Sequence, residues 1–265
     1  MTKTASIIIP TKNESIWVER TLLILSASMY AQEIIIADND CDSKIKEVAS
    51  RYSCRLIQDT TPAKSRNSGA RASSGDILIF VDADVIVPPH CIDRAINIIQ
   101  ESTNVGIVHF KIVPITNSAF VRSSYIVMHY YFKMLSMLGV AQGIGNFIAV
   151  KREVFDEVEG FDESISAGED ADFFRRASKI TSIVYLADDE IYASARRYHI
   201  EKPYIFSAKC VMWAMLRLFG SSRSIIAYKW ECYPEFILNN EYKWIQINLE
   251  ELHNKIIQPT QNTRG

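Results

Sequence analysis

The sequence predicts an α/β protein on one mostly parallel central sheet flanked by helices, with a helical extension at its C-terminal end. Three observations predict it. Short apolar runs of strand length alternate with helical stretches through the first third of the chain, as in βαβ units. Three of those runs close on polar or acidic residues: Asn13 and Glu14, then Asp38, then Asp82 and Asp84. The length, 265 residues at 48% hydrophobic and 23% charged, suffices for one large core.

The elements follow in order. Residues 6–9 read as a buried β-branched strand closed by Pro10. Pro10-Thr11-Lys12-Asn13-Glu14 is a turn with helix-start chemistry, and 16–28 has helical character. A second strand over 33–37 ends at Asp38. A helix over 43–52, a strand over 54–58 and a polar helix over 62–72 follow, the last carrying Lys64, Arg66, Asn67 and Arg71. Gly75-Asp76 then turns the chain into Ile-Leu-Ile-Phe-Val (77–81), an apolar run suited to a strand buried on both faces. Asp82 and Asp84 leave that strand, and a helix over 90–100 comes next.

The second half changes character. Residues 105–113 predict an added, mixed strand ending at Pro114. A long helix over 118–138 places Arg122, His129, Lys133 and Ser136 at helical spacing beside a wide apolar face. Gly143 to Phe147 breaks it, 148–150 is extended, and 152–159 is a small helix stopped by Gly160. Gly168-Glu169-Asp170-Ala171-Asp172 opens another helix. Apolar stretches over 182–186 and 191–195 precede the basic run Arg196-Arg197-Tyr198-His199 and a strongly apolar helix over 203–219. Beyond Gln258 the chain is polar and is expected to fray.

Composition excludes several classes. A formal net charge of −2 gives no electrostatic case for nucleic acid. Five cysteines without a CxxC pair argue for reduced thiols, against a zinc site or a disulfide framework. No signal peptide is recognised, and no apolar run reaches the ~20 residues of a spanning helix, so the expected location is cytoplasmic.

Two acids one residue apart at the carboxyl end of a buried strand suit a hard cation whose remaining ligands are substrate phosphates. An acidic turn capping the next helix explains the same spacing. Helix caps explain each acidic strand end singly but not three converging on one sheet edge.

The ordered set resembles the family-2 glycosyltransferases, inverting enzymes of the GT-A fold. The likeness rests on Pro10-x-x-Asn13-Glu14, Asp38, Arg66-Asn67-x-Gly69 and Asp82-Ala83-Asp84. Gly145-Asn146-Phe147, Arg152-Glu153, Gly160-Phe161-Asp162-Glu163 and Glu169-Asp170-x-Asp172 with Arg175 then follow. It implies a GT-A catalytic domain over 1–201 and a helical extension over 202–265. It also implies a nucleotide-sugar donor, UDP- or GDP-linked, a glycan or lipid-linked hydroxyl acceptor, and Mg²⁺ or Mn²⁺. By that resemblance Pro10, Thr11, Asn13 and Glu14 line the nucleotide, Asp38 accepts a hydrogen bond from the base, and Lys64 and Arg66 contact base or phosphate. Asp84 holds the metal, and Asp82, beside Ala83, supports the metal or a ribose hydroxyl. Asp170 is the general base, its neighbours Glu169 and Asp172 adding like charge. Arg197 covers the diphosphate and His199 is a third metal ligand.

Rival readings are a glycosyltransferase-like scaffold that has lost turnover, and a nucleotidyltransferase. The latter ordinarily carries a Gly-rich loop after the first strand, where this chain has no glycine. The helix over 203–219 either lies at a membrane surface or packs on the catalytic domain or a second subunit, as in a homodimer.

Overall fold

The computed structural model describes residues 4–12, 14–25, 31–140, 142–165, 168–200 and 202–218, without the side chains of 31, 32, 199, 200 and 213–218. The first half runs β1 (Ala5–Thr11), α1 (Ser15–Leu25), β2 (Ala31–Asp38), α2 (Ser43–Arg51), β3 (Arg55–Gln58), α3 (Pro62–Ala72), β4 (Ile77–Val81), β5 (Val85–Ile86) and α4 (Pro89–Glu101). The second runs β6 (Val105–Ile115), α5 (Ala119–Met137), β7 (Phe147–Lys151), α6 (Arg152–Glu157), α7 (Glu169–Ala177), β8 (Ser182–Ser194), α8 (Arg196–Ile200) and α9 (Pro203–Leu218). Helix starts follow local chemistry. Asp42, Thr61 and Ser118 each accept a backbone N–H of the first turn of α2, α3 and α5, and Pro62 opens α3 where its missing N–H costs nothing.

The strands form one sheet in the order β3-β2-β1-β4-β7-β6-β8-β5. The segment β3-β2-β1-β4 is parallel, as the βαβ spacing predicts. β7 then runs antiparallel to both β4 and β6, while β6 is parallel to β8, which makes β6 the mixed strand expected. Two sequence boundaries move. β6 continues through Pro114, because β7 pairs it only at Ile107 and Val108 and the missing N–H falls on a stretch bonded on one side alone. The two apolar stretches over 182–186 and 191–195 are one strand, β8, whose register with β6 jumps from Phe110↔Leu186 to Lys111↔Glu190. The extra residues bulge out and let a single strand serve both stretches.

Alternation along β1 and β4 divides the core between the two sheet faces. Ile7, Ile9, Ile77, Ile79 and Val81 pack with α1, α2 and α4. Ile8, Leu78 and Phe80 pack with Phe161, Phe173 and Phe174. Helix α3 presses on the second face at Gly69, where an added Cβ would lie 2.3 Å from Ile8 Cγ2. A third, small cluster joins Val121 of α5, Ala195 and Tyr198 at α8, and Phe206 of α9. The start of α9, in the predicted extension, therefore packs on α5 and α8, and residues 219–265 lie outside the described residues. The carboxyl ends of β1, β2 and β4 share one edge, with Thr11 beside Asp38, and the chain order reverses at β1 and β4, where open α/β sheets bind ligands.

Candidate active site

Each predicted strand end reaches this edge. Thr11 is fully buried at the end of β1, and its Oγ1 has no hydrogen-bond partner among the described residues, a demand that a bound polar group can meet. Beside it Asp38 is buried, with Oδ1 accepting the backbone N–H groups of Asp40 at 3.1 Å and Cys41 at 2.6 Å. These bonds hold the turn after β2 and fix the carboxylate at the sheet edge. Pro10 is buried in β1, and Asn13 lies outside the described residues.

The acidic turn after β4 is pinned from below. Thr21 of α1 donates to the carbonyl of Ala83 at 2.8 Å, and the Asp82 N–H donates to the carbonyl of Asn146 at 3.1 Å. Asp82 and Asp84 thus emerge from a rigid turn, each facing an arginine. Arg66 of α3, 4% exposed, donates to Asp82 at 2.7 Å and to Glu169 at 2.8 Å. Arg196, at the start of α8, pairs with Glu14 and lies 3.0 Å from Asp84 Oδ2, its guanidinium 5.9 Å from the Trp17 ring centroid. Trp17 itself is part of the core.

The carboxyl groups respond to burial. Burial lifts Glu14 to about 7, against the pull of Arg196 and with help from Asp84. Burial raises Asp82 and Glu169 too, with Arg66 opposing in each case. Burial works against the charge on Arg66, but Asp82 and Glu169 more than offset it and raise its pKa. The two arginines therefore stay charged and the acids share them.

Asp170 stands in the first turn of α7, where the helix macrodipole favours acids. Its Oδ2 accepts the Gly145 N–H at 2.8 Å and its Oδ1 the Ala171 N–H at 2.7 Å. A Cβ on Gly145 would lie 2.8 Å from Arg66 Nη2 and 3.6 Å from Asp170 Cβ, so the glycine lets Asp170 and Arg66 share one wall. The flanking acids do not act as bare like charges on Asp170. Asp172 is paired with Arg175 and Arg176, and Glu169 with Arg66.

Other expectations fare differently. Arg197 is exposed and its positive charge is felt at Asp82, which leaves it on the open side of the site. Among the described residues no hydrogen bond or ion pair joins the Lys64 side chain to this cluster. The His199 side chain lies outside the described residues. Arg196 is the group that sequence reasoning underweighted. The basic run 196–199 signalled a cation here, but which arginine turns inward depends on where β8 ends.

Among the described residues no three His, Cys, Asp or Glu side chains gather as a ready-made metal cage. Asp82 and Asp84 are nevertheless hard oxygen donors, and two carboxylates completed by substrate phosphates are a sufficient protein share for Mg²⁺ or Mn²⁺. The donor set fits such an ion, provided Asp84 exchanges Arg196 for it.

Comparison with known proteins is consistent in direction. The model of glycosyl transferase family 2 matches residues 6–159. A Haemophilus influenzae protein described as an uncharacterized glycosyltransferase is 30% identical over 63% of this chain and 60% of its own length. The mannosyltransferase PcManGT from Pyrobaculum calidifontis, solved with GDP-Man and Mn²⁺, superposes with a TM-score of 0.57 at 18% identity, over 72% of this chain and 57% of that one. S. aureus TarS 1-349 with UDP-GlcNAc gives 0.56 at 17% identity, over 72% and 58%. The chain spans under two thirds of the length of each, and the two structural likenesses bear on the fold alone.

Proposed function

The chain belongs to glycosyl transferase family 2, and from that premise we propose that this crevice transfers a sugar from a nucleotide-diphosphate donor to a hydroxyl acceptor with inversion. In this reading Thr11 and Asp38 take the nucleoside, Asp38 accepting a hydrogen bond from the base. Asp84, with Asp82, would hold Mg²⁺ or Mn²⁺ together with the donor diphosphate. When bound, such an ion neutralises negative charge on the leaving diphosphate. Arg197, exposed beside Asp82, lies over the same phosphates. Asp170 takes the proton of the acceptor hydroxyl as its oxygen attacks the anomeric carbon, on the face opposite the breaking bond to the diphosphate.

The observation that carries this reading is Arg66. One buried guanidinium binds both Asp82 and Glu169, the residue before Asp170. It ties the donor-side acids to the helix that bears the base, so both halves of the reaction are set by one rigid group. Nothing in a helix-cap account of these acids calls for that bridge.

The test is a transfer assay with UDP-, GDP- and dTDP-sugars across a panel of hydroxyl acceptors, alongside nucleotide titration in Mn²⁺ and in EDTA. Metal-dependent binding of one nucleotide with sugar transfer supports the proposal, and Asp84→Ala then weakens that binding. Tight nucleotide binding without transfer or donor hydrolysis across the panel favours the scaffold reading instead. Unchanged affinity of Asp84→Ala in Mn²⁺ removes Asp84 from the metal site.

A further inference from the structure

Exposed apolar side chains are concentrated on one part of the molecule. Among the described residues every large exposed hydrophobic except Leu23 and Ile180 falls between Phe120 and Val140 or between Tyr204 and Met212. The first stretch is α5 and its C-terminal turn; the second is α9. Phe120, Val127, Tyr130, Met134 and Met137 are spaced by threes, fours and sevens, and so share one face of α5. That face is open: Val127 is 67% exposed, Tyr130 63% and Met137 81%. Tyr204, Val211 and Met212 are exposed on α9.

The two helices touch. Ser124 Oγ and Ser207 Oγ are 3.2 Å apart, and Val121 and Phe206 belong to the same small core. Their inward sides are therefore satisfied by packing, and the exposed apolar face is left over. Apolar exposure gathered on adjacent helices marks an interaction surface, whereas scattered exposed hydrophobics need no explanation.

Charge selects the partner. No Asp or Glu occurs between Glu101 and Glu153, nor between Glu201 and Glu231, in a chain that holds 31 acids. Helix α5 carries Arg122 and Lys133, α9 carries Lys209 and Arg217, and neither contains an acid. Arg122 and Lys133 lie three turns apart, along one edge of the exposed apolar face of α5. Apolar side chains bordered by cations, on two helices that carry no acid, suit an interface in which tails lie below a negatively charged headgroup layer, while the nearest acids, Asp188 and Glu190 of β8, stand by His129. A second copy of this chain would meet the same cations face to face.

We propose that the outer face of α5 and α9 docks the protein on an anionic phospholipid bilayer. The face is close to the candidate active site. Tyr125, on the opposite side of α5, is near enough to Asp84 and Arg197 to feel their charges. A docked bilayer surface and the acidic turn thus lie on opposite sides of α5. None of the described helices is long and apolar enough to cross a membrane.

The test is flotation of the full chain with vesicles of phosphatidylcholine alone, and of phosphatidylcholine mixed with an equal part of phosphatidylglycerol. It reads binding and not turnover, so it stands apart from the glycosyltransfer assay. The wild type is expected to float with the mixed vesicles, much less with the neutral ones, and less at high salt. The double variants Val127→Glu/Met134→Glu and Lys133→Glu/Lys209→Glu should each lose at least tenfold in partitioning, while Lys46→Glu on α2 should not. If the first double variant melts early, Val127→Ser/Met134→Ser serves the same comparison. Failure of the wild type to bind mixed vesicles overturns the proposal, as does equal binding by the double variants. A wild-type dimer that those variants split, without vesicle binding, assigns the face to a second copy and likewise overturns it.

Discussion

Arg196 and Asp84 are an ion pair, Nε to Oδ2 at 3.0 Å, in the acidic turn of the proposed metal site. The same guanidinium also engages Glu14, so one buried arginine faces a buried acid and a largely buried one. A divalent ion on Asp84 must compete with Arg196. In the proposed reading the arginine would thus stabilise the turn and weaken its affinity for metal.

Arg196→Ala should therefore separate the two effects. Removing one member of a buried ion pair costs about 3–5 kcal/mol, because the remaining acids keep their desolvation penalty. In EDTA the variant should melt well below the wild type. Mn²⁺ without nucleotide should then raise its melting temperature by more than it raises that of the wild type. Equal shifts in the two proteins, read by calorimetry, would mean that Arg196 and metal do not compete for Asp84.

Asp170→Asn keeps one oxygen to accept the Gly145 N–H that now bonds Oδ2 at 2.8 Å and gives up the bond from the Ala171 N–H to Oδ1, so the wall of the site should survive with one hydrogen bond fewer. The proton-accepting function should not. Loss of a general base lowers turnover by about 10²–10⁴-fold. Nucleotide affinity in Mn²⁺ is expected to stay within about twofold, because the base contributes to the chemical step and not to uniform binding. Wild-type turnover in this variant would move the base elsewhere.

Much of this site was legible because strand-end chemistry is local. The short apolar runs place Thr11, Asp38, Asp82 and Asp84 at one sheet edge whatever the rest of the chain does, and all four lie there. The inward turn of Arg196 was not legible. It depends on the bulge after Leu186 and on where β8 stops, which are outcomes of pairing with β6 and leave no trace in periodicity. Pro114 misled for the same reason: its cost depends on whether a neighbouring strand needs its N–H. Asn67 and Phe161 were visible as landmarks, but their contact spans almost a hundred positions of sequence.

His109 gives a pH prediction with a definite sign. It is enclosed by the rings of Phe132, Phe174 and Tyr185, and burial lowers its pKa from 6.5 to about 3. A base whose folded pKa is depressed is protonated first in the unfolded chain. Its contribution to stability is complete above about pH 6.5 and is lost as pH falls towards 3, by no more than about 5 kcal/mol at 1.36 kcal/mol per unit. Glu14, lifted to about 7 by burial, contributes the opposite slope, so the informative comparison is between wild type and His109→Phe. The variant should lose less stability in urea melts between pH 7 and pH 4. Parallel curves for the two proteins would show that His109 is not buried in its neutral form.

A staple of hydrogen bonds between Asn67 and Phe161 stands behind Arg66. Asn67 is 5% exposed; its Nδ2 donates to the Phe161 carbonyl at 2.8 Å and its Oδ1 accepts the Phe161 N–H at 2.9 Å. The same Nδ2 donates to Glu163 at 2.9 Å. Asn67→Ala leaves a buried backbone donor and acceptor unmet, at about 1–3 kcal/mol each before relaxation. The damage should extend to function, because Arg66 is the next residue and its guanidinium stands 5.4 Å from the Phe161 ring centroid. Loosening that contact lets the arginine drift from Asp82 and Glu169, so turnover should fall more than the Mn²⁺-dependent nucleotide affinity. Asn67→Asp keeps the acceptor for Phe161 N–H but loses both donated bonds and faces Glu163 with like charge. It should be at least as destabilised as the alanine variant. An aspartate variant more stable than the alanine one would show that the acceptor bond to Phe161 N–H outweighs the other two, and that this single bond holds the segment against α3.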